Sequence, residues 1–221
     1  MKKKNIMLLV IMLLIFSSCS IKNINNYDVN EIIKEVLDSN IKVTNEVHSG
    51  YKYYLPRGCK LLDNNGYNSE ILFKKDKLYL FVDVVSYYHK ASINYEEKDN
   101  LFFSKKISYN GYEGYIEIDK KDNNYYLEMV YNYSKIESFV SEANLKDAIY
   151  NAITILSSVT YNDNILSTLI GENQLNYKEE KFSLFDSQRE EGNFLDYVEE
   201  YDIYEEDKKD KDEDFIIQSN E

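Results

Sequence analysis

Asn110-Gly111 is flanked by two strand-like runs, Leu101–Tyr109 and Tyr112–Asp119. Such a dipeptide accepts the positive φ of a two-residue hairpin turn, so this stretch is held to antiparallel pairing of neighbouring segments. Similar signals recur on both sides. Tyr51–Leu55 runs into Pro56-Arg57-Gly58, Cys59–Leu62 into Asn64-Asn65-Gly66, and Glu70–Lys74 into Lys75-Asp76. A strand is predicted over Lys77–Tyr88, apolar on both faces and therefore central in its sheet. A turn at Lys120–Asn123 leads into a last predicted strand over Asn124–Tyr133. Tyrosine is frequent on these strands because its ring packs on a pleated surface while its hydroxyl stays wet.

Helical spacing brackets the strands. Asp28 is placed to cap a helix carrying Val29, Ile32, Ile33, Val36 and Leu37, and Ile41, Val43 and Val47 then fall in a β-prone stretch. Near the other end Asn144 is a good N-cap, with Asp147 in the first turn. Leu145, Ala148, Ile149, Ala152, Ile153, Leu156 and Val159 follow at steps of three and four. Burying Leu145, Ile149, Ile153 and Leu156 contributes about 6–12 kcal/mol as an upper bound. A further short helical turn is predicted over 163–170. The expected fold is α+β: an antiparallel meander sheet packed by an amphipathic C-terminal helix and a short N-terminal helix.

The first twenty residues read MKKKNIMLLVIMLLIFSSCS. Three lysines, an apolar run of about eleven residues and small residues before a cut site make a secretory signal peptide, too short to span a bilayer as a helix. The stretch Phe16-Ser17-Ser18-Cys19 resembles the lipobox of bacterial lipoproteins, with Phe16 where leucine is usual. The resemblance implies acylation of Cys19, which becomes the mature N-terminus, and firm attachment to the extracytoplasmic face of the plasma membrane. The other readings are a secreted protein cut near Ser18 and an uncleaved anchor. With Cys19 acylated only Cys59 remains, which leaves no intramolecular disulfide. The expected organisation is a signal peptide over 1–18, a lipidated tether over 19–27, an α+β domain over 28–171 and an acidic, largely disordered tail over 172–221.

Charge separates the tail from the rest. Residues 186–221 hold 15 Asp and Glu against 4 Lys and Arg, whereas residues 1–185 hold 24 against 22. The densest run, Glu205–Asp214, has nothing apolar to bury. Asp210, Asp212 and Asp214 are spaced like the first ligands of a calcium loop, but Phe215 stands where that loop needs glycine, so the run reads as solvated charge. Just before it, Phe194, Tyr197, Val198, Tyr201 and Tyr204 fall at helical steps among carboxylates. Such a segment can fold into a basic groove on a partner protein, or pack back on its own domain. Its sign disfavours nucleic acid and direct contact with anionic lipid.

Catalytic signatures are thin. His48 and His89 have no metal-ligand spacing, and no nucleophile elbow, Walker loop or dinucleotide fingerprint is present. Cys59 paired with a histidine would make a thiol nucleophile and base; as a half-buried strand residue it would simply pack. No cofactor and no enzyme activity are expected. Tyr51–Gly58, the meander and the closing stretch Ile155–Tyr161 resemble the layout of PsbP-like domains over roughly residues 45–161. That resemblance implies a sheet between helices and action by binding other proteins. The leading expectation is an anchored accessory or assembly factor that binds a protein with a basic surface. The alternative is a small-ligand module of the envelope using Tyr79, Tyr87 and Tyr88 to line a cleft.

Overall fold

The computed structural model describes residues 24–171, so Cys19 and the tail positions Phe194, Tyr197, Val198, Tyr201 and Tyr204 lie outside the described residues. After a short 3-10 turn at Ile24–Asn26 comes α1 (Val29–Ser39), with Ile32, Ile33, Val36 and Leu37 buried. Asp28 and Glu31 close a reciprocal capping box: the Glu31 amide donates to Asp28 Oδ1 at 2.8 Å and the Asp28 amide to Glu31 Oε2 at 2.9 Å. Three short strands follow or close the chain as a small sheet of order β1-β2-β10, namely β1 (Glu46–Val47), β2 (Tyr51–Tyr53) and β10 (Thr160–Tyr161). The predicted β-prone stretch therefore yields strand only at its end, and Val43 and Val47 stand exposed.

The main sheet has seven antiparallel strands: β3 (Cys59–Asn65), β4 (Asn68–Phe73), β5 (Asp76–Val82), β6 (Phe103–Tyr109), β7 (Tyr112–Lys121), β8 (Asn124–Tyr131) and β9 (Ser134–Ser141). Their spatial order is β3-β4-β5-β9-β8-β7-β6. Asn110 and Gly111 make the predicted hairpin turn, with φ of +50° and +82° and Tyr109 paired to Tyr112. At the first hairpin Asn65 pairs with Asn68, so the turn residues are Gly66 and Tyr67, one position later than predicted, and Gly66 takes the positive φ.

Two expectations are corrected here. The strand predicted over Lys77–Tyr88 stops at Val82, and Val84–His89 is a helix, α2. Asp83 accepts hydrogen bonds from the Ser86 amide at 2.8 Å and the Ser86 hydroxyl at 2.7 Å, a cap that outweighs the strand preference of Val84 and Val85. The strand predicted to run to Tyr133 ends at Tyr131. Asn132 and Tyr133 turn the chain with φ of +52° and +55°, and β9 inserts between β8 and β5.

Next comes α3 (Leu145–Ser158), preceded by a 3-10 turn at Glu142–Asn144. Asn144 occupies the predicted N-cap position without making a side-chain cap. Its side-chain Nδ2 instead donates to Asp76 Oδ2 at 2.7 Å and its Oδ1 accepts from Lys74 Nζ at 3.1 Å, tying the helix start to the β4–β5 turn. The predicted apolar stripe is buried throughout and packs with α1 against one sheet face. There Ile71, Leu78, Ser138, Leu127, Ile118 and Phe103 lie in register across six strands. The last described element is α4 (Asp163–Gly171). These elements make the α+β fold with an antiparallel sheet, a C-terminal helix and a short N-terminal helix.

Candidate functional site: a carboxylate rank on the second sheet face

Side chains alternate between sheet faces, so the register that aligns the core aligns a second set on the face turned away from α1 and α3. Glu70 pairs with Tyr79, Tyr79 with Glu137, Glu137 with Glu128, Glu128 with Glu117, and Glu117 with Ser104. Three glutamates from β9, β8 and β7 thus stand side by side. They are buried: Glu128 is 0 %, Glu117 5 % and Glu137 8 % exposed. Directly opposed like charges destabilise a sheet unless something neutralises them.

Tyrosines and lysines supply that neutralisation. The Tyr115 hydroxyl donates to Glu128 Oε1 at 2.6 Å. The Tyr126 hydroxyl lies 2.5 Å from Glu137 Oε1 and 3.2 Å from Glu128 Oε2. One hydroxyl carries one proton, so both contacts are hydrogen bonds only when one of the two carboxyls is itself protonated. Lys135, 1 % exposed, pairs with Glu137 Oε1 at 3.4 Å, and Lys98 pairs with Glu117 Oε1 at 2.9 Å. Burial pushes the Glu137 carboxyl up to about 7, against the pull of Lys135, with the Glu128 charge adding to the rise. The pair therefore holds a proton near neutral pH.

The crossover from α2 to β6 covers one side of this face. Tyr95 stacks on Tyr115 at 4.1 Å and 4°, and its hydroxyl meets the Ser104 hydroxyl at 2.6 Å. Tyr79, Tyr126 and Phe139 form a separate apolar cluster beside the glutamates, outside the main core. A row of opposed glutamates depends on the register of β9, so nothing short of placing that strand would have found it.

The residues singled out from the sequence are dispersed. Tyr79 belongs to the cluster just described, whereas Tyr87 and Tyr88 lie on α2. Tyr87 stacks on Tyr161 at 3.7 Å, carries Lys90 Nζ over its ring at 3.5 Å, and donates to Asp163 Oδ1 at 2.9 Å. Tyr161 in turn donates to the carbonyl of Asn132 at 2.7 Å, pinning the β8–β9 turn. Cys59 is half-buried on the edge strand β3, and burial pushes its thiol up to about 11, opposite to the shift a thiolate nucleophile needs. Among the described residues no hydrogen bond joins Cys59 to a histidine. His48 stacks on Tyr51 at 4.8 Å and on Tyr53 at 5.4 Å, and burial lowers its pKa. Ile24, Tyr27, Ile32, Glu35 and Tyr150 line a groove of about 200 Å³ beside the N-terminal turn. Among the described residues no group of three or more His, Cys, Asp and Glu side chains is placed to hold a metal ion, and no helix is long and apolar enough to cross a membrane.

No protein-family model matches the chain, and no curated protein does. A solved structure from Bacteroides thetaiotaomicron is similar at 8 % identity and a TM-score of 0.33, over 55 % of this chain and 49 % of that one. The match spans about half of that protein's length, and at this TM-score it carries neither fold nor function across.

Proposed function

We propose that this chain is a membrane-tethered extracytoplasmic lipoprotein that binds another protein, as an accessory or assembly factor. The observation that supports the binding role is where the domain spends its reactive groups. Tyr87, Tyr161 and Asp163 clamp the turn ends, Asp83 caps α2, and the glutamate rank is satisfied by Tyr115, Tyr126, Lys98 and Lys135. The surplus charge lies in residues 186–221, with 15 acidic against 4 basic residues, and complements a partner with a basic surface. Phe194, Tyr197, Val198, Tyr201 and Tyr204 supply the apolar side of that contact, the sheet-and-helix domain acts as its scaffold in the manner of PsbP-like domains, and Cys19 supplies the anchor.

The anchor is tested by fractionating cells that express the chain and its Cys19→Ala variant. The wild type stays with the membrane after high-salt washing, and the variant is released or accumulates as uncleaved precursor. Unchanged membrane retention of the processed variant would sink the lipoprotein reading.

A further inference from the structure

Three buried polar atoms gather in one aromatic stack where the small sheet packs on β4. The β1–β2 hairpin sets Glu46 opposite Tyr53, and the His48 amide donates to the Tyr51 carbonyl at 2.9 Å. The His48 ring stacks on Tyr51 and Tyr53 at 4.8 and 5.4 Å, and the two tyrosine rings lie nearly parallel with centroids 6.4 Å apart. Tyr53 is 0 % and Tyr51 2 % exposed. Among the described residues no group makes a hydrogen bond with the Tyr51 hydroxyl, the Tyr53 hydroxyl or His48 Nε2, all three of them buried. Buried polar groups are almost always paired, with protein or with ordered water. We propose that one buried water binds here, accepting from both tyrosine hydroxyls and donating to the Ser69 oxygen and to His48 Nε2.

The surroundings fit this ligand. Ser69, on β4 and 2 % exposed, donates its own proton to Asn64 Oδ1 at 2.8 Å, which leaves its oxygen as an acceptor. Burial raises both phenols, with the Ser69 hydroxyl beside them pulling the other way, so each stays protonated and acts as a donor at neutral pH. Burial lowers the His48 pKa, and the neutral ring presents Nε2 as an acceptor. The Glu46 carboxylate acts on both Tyr53 and His48, and its field opposes an anion at the same place. Water supplies two acceptor positions and two protons, the count these four groups require. A water making two bonds of about 2.8 Å bridges oxygens about 5.5 Å apart, a gap in keeping with rings stacked at 6.4 Å. Bound in this way it bolts β2 of the small sheet to β4 of the main one.

The test combines the intact chain with conservative variants. In water-selective NMR of the unaltered protein, one long-lived water is expected to give cross-relaxation to the rings of both Tyr51 and Tyr53. In urea unfolding, Tyr51→Phe and Tyr53→Phe are each expected to lower the folding constant about five- to tenfold. The double variant is expected to lose at least about threefold less than the product of the single losses, because the two hydroxyls share one water. Hydroxyls with no partner at all would instead make each phenylalanine variant as stable as the wild type or more so, and that result would overturn the inference. Single losses that multiply independently would overturn it too, as would the lack of a water signal at either ring. The NMR measurement needs no substitution and stands if a variant does not fold.

Discussion

Glu128 and Glu137 stand directly opposite each other on β8 and β9, with the Tyr126 hydroxyl between their carboxyls at 3.2 and 2.5 Å. Burial and the neighbouring carboxylate raise the Glu137 carboxyl to about 7, so a pair so placed takes up a proton more readily in the folded state than in the unfolded one.

The pH dependence follows from this uptake. Burial raises the Glu137 carboxyl from 4.5 to about 7, so between those values the folded chain binds more protons than the unfolded one. Its contribution is most favourable below pH 4.5 and is lost as pH rises to 7, a change of about 3 kcal/mol. His48 and His89, whose pKa values burial lowers, oppose it by destabilising the fold below pH 6.5. The useful quantity is therefore the difference between wild type and Glu137→Gln. Urea unfolding from pH 4.5 to 8 should show the variant gaining on the wild type by about 3 kcal/mol, and a constant difference would deny the shared proton.

At the start of α2 one side chain decides between helix and strand. Removing the Asp83 carboxylate leaves the Ser86 amide and hydroxyl without their acceptor inside the protein. Asp83→Ala should cost about 1–2 kcal/mol in urea unfolding, and Asp83→Asn, which keeps one acceptor oxygen, less than half of that.

Two glycines separate close approach from open turn. A Cβ on Gly114 would lie 2.0 Å from the Val130 carbonyl oxygen, inside the β7–β8 ladder. Gly114→Ala should destabilise by about 2–4 kcal/mol or prevent folding, because backbone and not a flexible side chain must move. Gly58, at φ +89° with nothing near its Cβ position, should lose only about 1–2 kcal/mol on change to alanine, the cost of a left-handed conformation. Thermal melts of both variants rank the two effects.

Local signals make much of this fold legible in the sequence. The Asp28 cap, the stripe from Leu145 to Leu156 and the turn at Asn110-Gly111 each act within a few residues, and each forms where the spacing places it, while the reciprocal bond from Glu31 adds to the cap. At α2 local signals compete: the Val84-Val85 pair reads as strand and the Asp83 cap overrides it. The missing strand β9 has another cause. Lys135 and Glu137 look like solvent positions in the sequence, but they face buried partners on the second face, so the apolar alternation is hidden. The glutamate rank was out of reach for the same reason, since it exists only once β7, β8 and β9 are in register.

The binding role is tested most directly by cross-linking the anchored protein in its own membranes, with and without residues 186–221. The proposed function predicts that one protein with a basic surface is recovered reproducibly with the full chain and is lost with the truncated one. Recovery of nothing specific by either chain, or of the same protein by both, would contradict a partner-binding tail and return attention to the folded domain.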